Sequence, residues 1–201
     1  MRSFSMWHAV MLAWSVFLVY WAITAVGTKP SVKRESVCGR APQMVLVVLG
    51  AVLVFRSDTP FELLRQRFVP RHPLLAGSGV LLTWLGIAIA IWARYHIGQN
   101  WSGRVTLKED HQLIRTGPYA RMRHPIYSGI ALALLGTAMV IGEWRALIGV
   151  LLITSAHILK ARKEEAWLGA RFGKAYEDYR NVSGFLLPRL RVESRDPKLS
   201  P

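Results

Sequence analysis

Apolar residues gather into five blocks divided by polar, mostly basic stretches. Residues 6–26 are broken only by His8, Ser15, Tyr20 and Thr24, a run long enough to cross a hydrocarbon layer of about 30 Å at about 1.5 Å per residue. Trp7, Trp14, Tyr20 and Trp21 suit a membrane helix better than the core of a cleaved signal. A second block, 41–56, is unbroken from Met44 to Phe55 and extends back through Pro42, which a first helical turn tolerates. The third, 74–95, is interrupted as far as Ala93 only by Ser78 and Thr83 and closes on Trp92 and Tyr95, residues suited to an interface. Blocks 126–142 and 145–161 flank Gly142-Glu143-Trp144-Arg145, a connection short enough for a helical hairpin. The last apolar run is short before Lys160, so four spans compete with five.

This pattern predicts an all-α polytopic membrane protein, one integral domain over 1–201 with five transmembrane helices. A pocket on the cytosolic face is expected between the loop before the fourth block and a C-terminal amphipathic helix that closes it. Composition agrees: 52% of the 201 residues are hydrophobic, and the 26 Lys and Arg against 12 Asp and Glu fall mostly between the blocks. Their bias toward the loops after the first and third blocks and toward the C-terminus places that end in the cytoplasm, with a bacterial inner membrane as the expected location. The net charge of +14 calls for anionic lipid head groups rather than nucleic acid, since no base-stacking module accompanies it. Residues 56–73, with Pro60, Pro70 and Pro73 and an apolar stripe of Phe61, Leu64 and Phe68, are expected to lie along the interface. A single cysteine, Cys38, excludes an intrachain disulfide. The six histidines show no paired metal-ligand spacing, so no metal is expected, and no obligatory protein partner is evident.

Two polar segments carry chemistry. Residues 98–125 form a long connection ending in Thr116-Gly117-Pro118-Tyr119 and Arg121-Met122-Arg123-His124-Pro125. Pro125 fits the first turn of the fourth span and sets His124 at its start. Residues 162–180 predict an amphipathic helix, with Leu168, Phe172, Tyr176 and Tyr179 on one stripe and Glu164 and Glu165 near its beginning. Because the hairpin returns its two ends to one side, His124 and the two glutamates are expected to meet. Read singly, each residue also has a structural role: Arg121 and Arg123 on phosphates, His124 as a cap, Glu164 and Glu165 paired with Lys160 to Lys163. Residues 191–201 are expected to be a flexible tail.

The composite of GPYxxxRHPxYxG from Gly117 to Gly129, a membrane hairpin, EExxLxxxFGxxYxxY from Glu164 to Tyr179, and a final Leu186-Leu187-Pro188 resembles the isoprenylcysteine carboxyl methyltransferase family and related phospholipid methyltransferases, over about residues 74–190. The resemblance implies that the pocket at the cytosolic face is a cofactor pocket holding S-adenosylmethionine, contacted by Gly117, Tyr119, His124, Pro125 and Tyr127 and by Glu164 and Glu165. It implies catalytic roles for Arg180, on an acceptor carboxylate, and for Glu165, as base toward an amine acceptor. The implied reaction is methyl transfer to a hydrophobic or prenylated membrane-embedded substrate, an isoprenylcysteine-like carboxylate or a lipid amine. The chain departs from the family in running Asn181-Val182-Ser183-Gly184, without the proline that follows the valine, which leaves the acceptor class open. The alternatives are a membrane NADPH-dependent reductase of the sterol reductase type and a non-enzymatic lipid-binding protein.

Overall fold

The structure is a computed structural model that describes residues 2–25, 31–34, 36–58, 60–101, 106–108 and 112–189. The expected tail 191–201 lies outside the described residues. Seven α-helices occur among the described residues: α1 (Arg2–Ala25), α2 (Val37–Phe55), α3 (Glu62–Arg65), α4 (Pro73–Ile97), α5 (Pro125–Ile141), α6 (Trp144–Phe172) and α7 (Lys174–Val182). Four of them, α1, α2, α4 and α6, are long and apolar enough to cross a membrane. α5 is equally apolar, but its 17 residues rise only about 25 Å. The chain is an all-α integral membrane protein with four long apolar helices. It also holds a feature that the apolar pattern does not announce, an antiparallel pair of β1 (Ser31–Arg34) and β2 (Thr106–Lys108) joining the loops after α1 and α4.

Local chemistry sets the helix ends. Ser36 caps α2 by accepting from the amide of Gly39 at 3.1 Å, so α2 starts a turn earlier than its apolar run. Pro42 therefore lies past the first turn, where its missing N–H deprives the Cys38 carbonyl of a helical donor. His72 Nδ1 accepts from Leu74 N (3.3 Å) at the start of α4, and Pro73 and Pro125 occupy the first turns of α4 and α5. The segment 162–180 is divided: α6 runs without interruption to Phe172, the chain turns at Gly173, and α7 follows. The apolar part of α6 ends at Leu159, so Glu164 and Glu165 stand on a helical extension beyond the spanning portion.

Packing places α4 against α5 and α2 against α6, with α1 along α4. α4 and α5 approach to backbone contact. A Cβ on Gly86 would stand 2.4 Å from the Gly129 carbonyl oxygen, and one on Gly129 would stand 2.6 Å from that of Gly86. Gly86 and Gly129 thus allow this close approach within the chain's own interior. A buried polar link crosses the same layer: Trp14 Nε1 donates to Thr137 Oγ1 (3.0 Å), and Thr83 Oγ1 of α4 reaches the Ala133 carbonyl of α5 (3.3 Å). At the end remote from α7, only Gly142 and Glu143 separate α5 from α6. Arg145 is buried there rather than lying in the connection; its Nη1 donates to the carbonyls of Leu53, Val54 and Arg56 and its Nε to Glu143. The loop before α4 closes onto this corner, with Phe68 against Trp144 (5.3 Å between rings) and Arg67 Nη1 donating to the Ile141 carbonyl (2.8 Å).

Candidate active site

The start of α5 and the extension of α6 meet at one end of the bundle. Pro125 fixes the first turn of α5, leaving His124 just outside it with 7% of its surface exposed. Residues 121–124 are held from the other side by the segment after α7. Arg123 N donates to the Gly184 carbonyl (2.8 Å), His124 N to that of Phe185 (3.2 Å), and Gly184 N to that of Arg121 (2.9 Å). None of these three bonds is visible in helical periodicity, because both segments are irregular backbone.

The side chains converge as the hairpin geometry predicts. His124 Nε2 lies 3.3 Å from Glu165 Oε1, and His124 Nδ1 lies 3.8 Å from Glu164 Oε2. Tyr127 donates its hydroxyl to both oxygens of Glu164 at 3.0 and 3.1 Å, and its ring stacks on that of His124 at 5.5 Å. Lys160 Nζ is 3.7 Å from Glu164 Oε1. Arg123, assigned no site role from sequence, is the main partner of Glu165: its Nε donates at 2.5 Å, and its Nη1 donates to the carbonyls of Ser183 and Arg180. Its position directly before His124 in the RHP triplet is the signal that marks it.

The two glutamates differ electrostatically. Burial opposes the charge of Glu165, but hydrogen bonds and charge from His124 and Arg123 outweigh it and pull the carboxyl down from 4.5 to about 2. Glu165 is thus ionised and engaged by two donors. Glu164 is served by one phenol and by an ammonium at 3.7 Å.

The remaining predicted residues divide into framing and peripheral positions. Tyr119 is buried, and its carbonyl accepts from the Tyr179 hydroxyl at 2.7 Å, tying α7 to the loop. Burial raises both phenols, that of Tyr179 to about 12, so each stays protonated. Gly117 takes φ +58, and a Cβ there would strike the His96 ring at 2.3 Å, which restricts this turn to glycine. Arg180 is exposed on the last turn of α7; its backbone carbonyl, not its guanidinium, is the acceptor for Arg123. The structure therefore brings His124, Tyr127, Glu164 and Glu165 together, frames them with Gly117, Tyr119 and Pro125, and leaves Arg180 outside the cluster.

Long apolar helices capped at one end by a dense ionisable cluster define the class, an integral membrane protein with a helix-end polar site. Within that class, residues 79–169 match the family model for the isoprenylcysteine carboxyl methyltransferase (ICMT) family. The chain is 36% identical over 99 residues to the protein-S-isoprenylcysteine O-methyltransferase of Schizosaccharomyces pombe, covering 48% of this chain and 42% of the relative. It is 30% identical over 113 residues to the protein of the same name in Saccharomyces cerevisiae, covering 55% and 47%. The chain thus spans less than half the length of these curated relatives. A solved structure of the eukaryotic intramembrane Ras methyltransferase ICMT superposes with a TM-score of 0.59 at 20% identity, covering 94% of this chain and 68% of that one, a likeness of fold.

Proposed function

We propose that this chain is an S-adenosylmethionine-dependent methyltransferase acting on a hydrophobic acceptor embedded in the membrane, an isoprenylcysteine-like carboxylate or a lipid amine. The carrying observation is the juxtaposition of Glu164 with Tyr127 and His124, and of Glu165 with His124 and Arg123, at the end of a membrane bundle, in the segment that matches the methyltransferase family.

The donor set fits the amino-acid end of that cofactor. Of the two glutamates, Glu164 has no guanidinium against it among the described residues and suits an ammonium, with the Tyr127 hydroxyl orienting it, while the His124 ring supplies a donor to a carboxylate. Gly117, Tyr119 and Pro125 would shape the wall around it. When bound, the cofactor supplies an electrophilic methyl group on sulfonium. The chain's own residues then orient, neutralise and exclude water. Arg123 and Glu165 hold His124 in place, and the strap 184–189 keeps solvent from that face. A carboxylate acceptor needs no base. An amine acceptor needs one, and the low pKa of Glu165 makes it weak in that role. Arg180, exposed beside the strap, would offer its guanidinium to an anionic acceptor from the aqueous side.

For the membrane arrangement we infer that α5, packed along α4, makes a fifth crossing, and that the site faces the cytosol of a bacterial inner membrane. Anionic lipids would then border the basic end of the bundle. Calorimetric titration of the purified chain tests the reading. S-adenosylmethionine should bind, NADPH should not, and a labelled methyl group should pass into a lipid-extract component. Binding of NADPH alone would replace methyl transfer with reduction, and binding of neither would leave a lipid-binding surface.

A further inference from the structure

Three side chains of α6 meet one side chain of α5. His157, Lys160 and Glu164 follow one another at helical spacing and fall on a single stripe, and Tyr127 runs along it. The phenol ring is nearly parallel to the His157 ring, with centroids 4.8 Å apart and planes 14° apart. Lys160 Nζ lies 5.6 Å from the centroid of the same ring. The hydroxyl at its far end donates to both oxygens of Glu164, at 3.0 and 3.1 Å. His157 thus stands about two turns before Glu164 on α6 and is linked to it through the body of Tyr127.

The imidazole is not placed there as a polar tie. Its Nδ1 is buried and has no hydrogen-bond partner among the described residues. What it presents to Tyr127 is a flat face. Tilting one of two stacked rings opens a gap across the whole contact and forfeits dispersion over many atom pairs at once, so the stack resists tilt where a rounded aliphatic contact would allow it. Tilt matters for tyrosine because the hydroxyl is the atom farthest from the backbone. A small rotation of the ring sweeps it across the carboxylate, and a hydrogen bond weakens steeply once its direction is lost. His124 is also nearly parallel to the ring, at 5.5 Å and 10°, but it belongs to the same stretch of chain as Tyr127 and moves with it. His157 belongs to α6, the helix that carries Glu164, so it holds donor and acceptor in one frame.

We propose that His157 is a positioning residue: its ring sets the plane of Tyr127 and thereby aims the phenol at Glu164. That an oriented Glu164 then receives the ammonium of S-adenosylmethionine rests on the function proposed above; the positioning itself rests on the stack.

The test uses the full chain in detergent micelles. His157→Leu keeps an apolar side chain in the membrane helix but removes the flat face, and His157→Phe keeps the face and removes the nitrogens. Calorimetric titration should show S-adenosylmethionine binding weakened about fivefold to tenfold by the leucine and left within about twofold of wild type by the phenylalanine. In a Tyr127→Phe background, where there is no hydroxyl to aim, His157→Leu should change the affinity no further than about twofold. Fluorine NMR of the chain with meta-fluorotyrosine in place of Tyr127 reads the ring without any ligand: its resonance should shift or broaden with His157→Leu and return with His157→Phe. Equal spectra and affinities for wild type and the leucine variant, equal losses for leucine and phenylalanine, or losses that add in the double variant would each overturn the proposal. If the wild-type chain does not bind S-adenosylmethionine, the fluorine spectra still decide: a change with leucine that phenylalanine reverses keeps the positioning and removes the methyl-donor reading, and no change removes the positioning.

Discussion

Arg123 and Glu165, 42 residues apart, form an ion pair of 2.5 Å in which the side chains are only 9% and 13% exposed. Such a pair stabilises little relative to an apolar substitute, yet breaking it from one side leaves a buried charge without compensation. Glu165→Gln is therefore expected to cost about 3–5 kcal/mol. Arg123→Lys keeps the charge but loses the fork that reaches Glu165 and the carbonyls of Arg180 and Ser183 together, at about 1.5–3 kcal/mol. Denaturant midpoints in micelles should rank wild type above the lysine variant and that above the glutamine variant; a neutral Glu165→Gln would show that the pair carries no structural weight.

The same pair sets an acid limit. Glu165 titrates at about 2 in the fold against an ordinary 4.5, so its contribution is fully present above about 4.5 and is lost as pH falls toward 2. Melting temperature should drop between those values in the wild-type chain. Because Glu165→Gln removes the titrating group, its melting temperature should fall less over the same interval. Parallel curves would assign the acid sensitivity to other carboxylates.

How much of this was legible beforehand follows from the kind of signal each residue leaves. The long helices are written in apolar runs, and the meeting of His124 with Glu164 and Glu165 follows from a hairpin whose ends must return to one side. Arg123 escaped a site role because a basic residue beside a membrane reads equally well as a lipid contact. The pairing of 121–124 with 184–189 is backbone to backbone between irregular segments and leaves no periodic trace. Arg145 seemed to belong to a loop because charge is expected at a membrane surface, whereas the free carbonyls at the end of α2 draw it inward.

Tyr127→Phe isolates the phenol's role. The ring keeps its stacks on His124 and His157, but Glu164 loses its closest donor and retains Lys160 at 3.7 Å. Loss of a hydrogen bond to a charged group amounts to about 1.5–3 kcal/mol, or roughly tenfold to a hundredfold in affinity. Because this bond belongs to the fold itself, the melting temperature should fall, and calorimetric titration should show S-adenosylmethionine binding weakened by up to that factor as Glu164 loses its orientation. Unaltered affinity would remove Tyr127 and Glu164 from the donor site.

Arg145 offers the converse, a change remote from the site. Replacing it with Met leaves three carbonyls and the Glu143 carboxylate without their donor, at a cost of about 2–4 kcal/mol. Because this corner lies at the opposite end of α6 from Glu164, the variant should melt earlier while binding S-adenosylmethionine as wild type does below its transition. A loss of affinity in the folded variant would mean that the corner sets the position of α6 along its whole length.

Two glycines on one helix separate close packing from helix propensity. At Gly86 a Cβ would meet Ala133 N and the Gly129 carbonyl at 2.4 Å; both are backbone, which cannot rotate away. At Gly77 nothing stands within 4 Å. Gly86→Ala must therefore push α4 and α5 apart, an overpacking expected to cost about 1–3 kcal/mol. Gly77→Ala removes a flexible residue from a half-buried helical position with open space beside it and should stabilise by about 0.5–1 kcal/mol. The displacement has a functional consequence, since His96 on the last turn of α4 packs against the turn at Gly117 and His124 caps the start of α5. Spreading them would widen the space between Tyr119 and the glutamates. Size-exclusion profiles and melting curves of the two variants should diverge in opposite directions from wild type, and only Gly86→Ala should weaken binding of S-adenosylmethionine. Equal behaviour of the two would mean that the bundle accommodates the added methyl group by sliding, and that the close approach of α4 and α5 does not position the site.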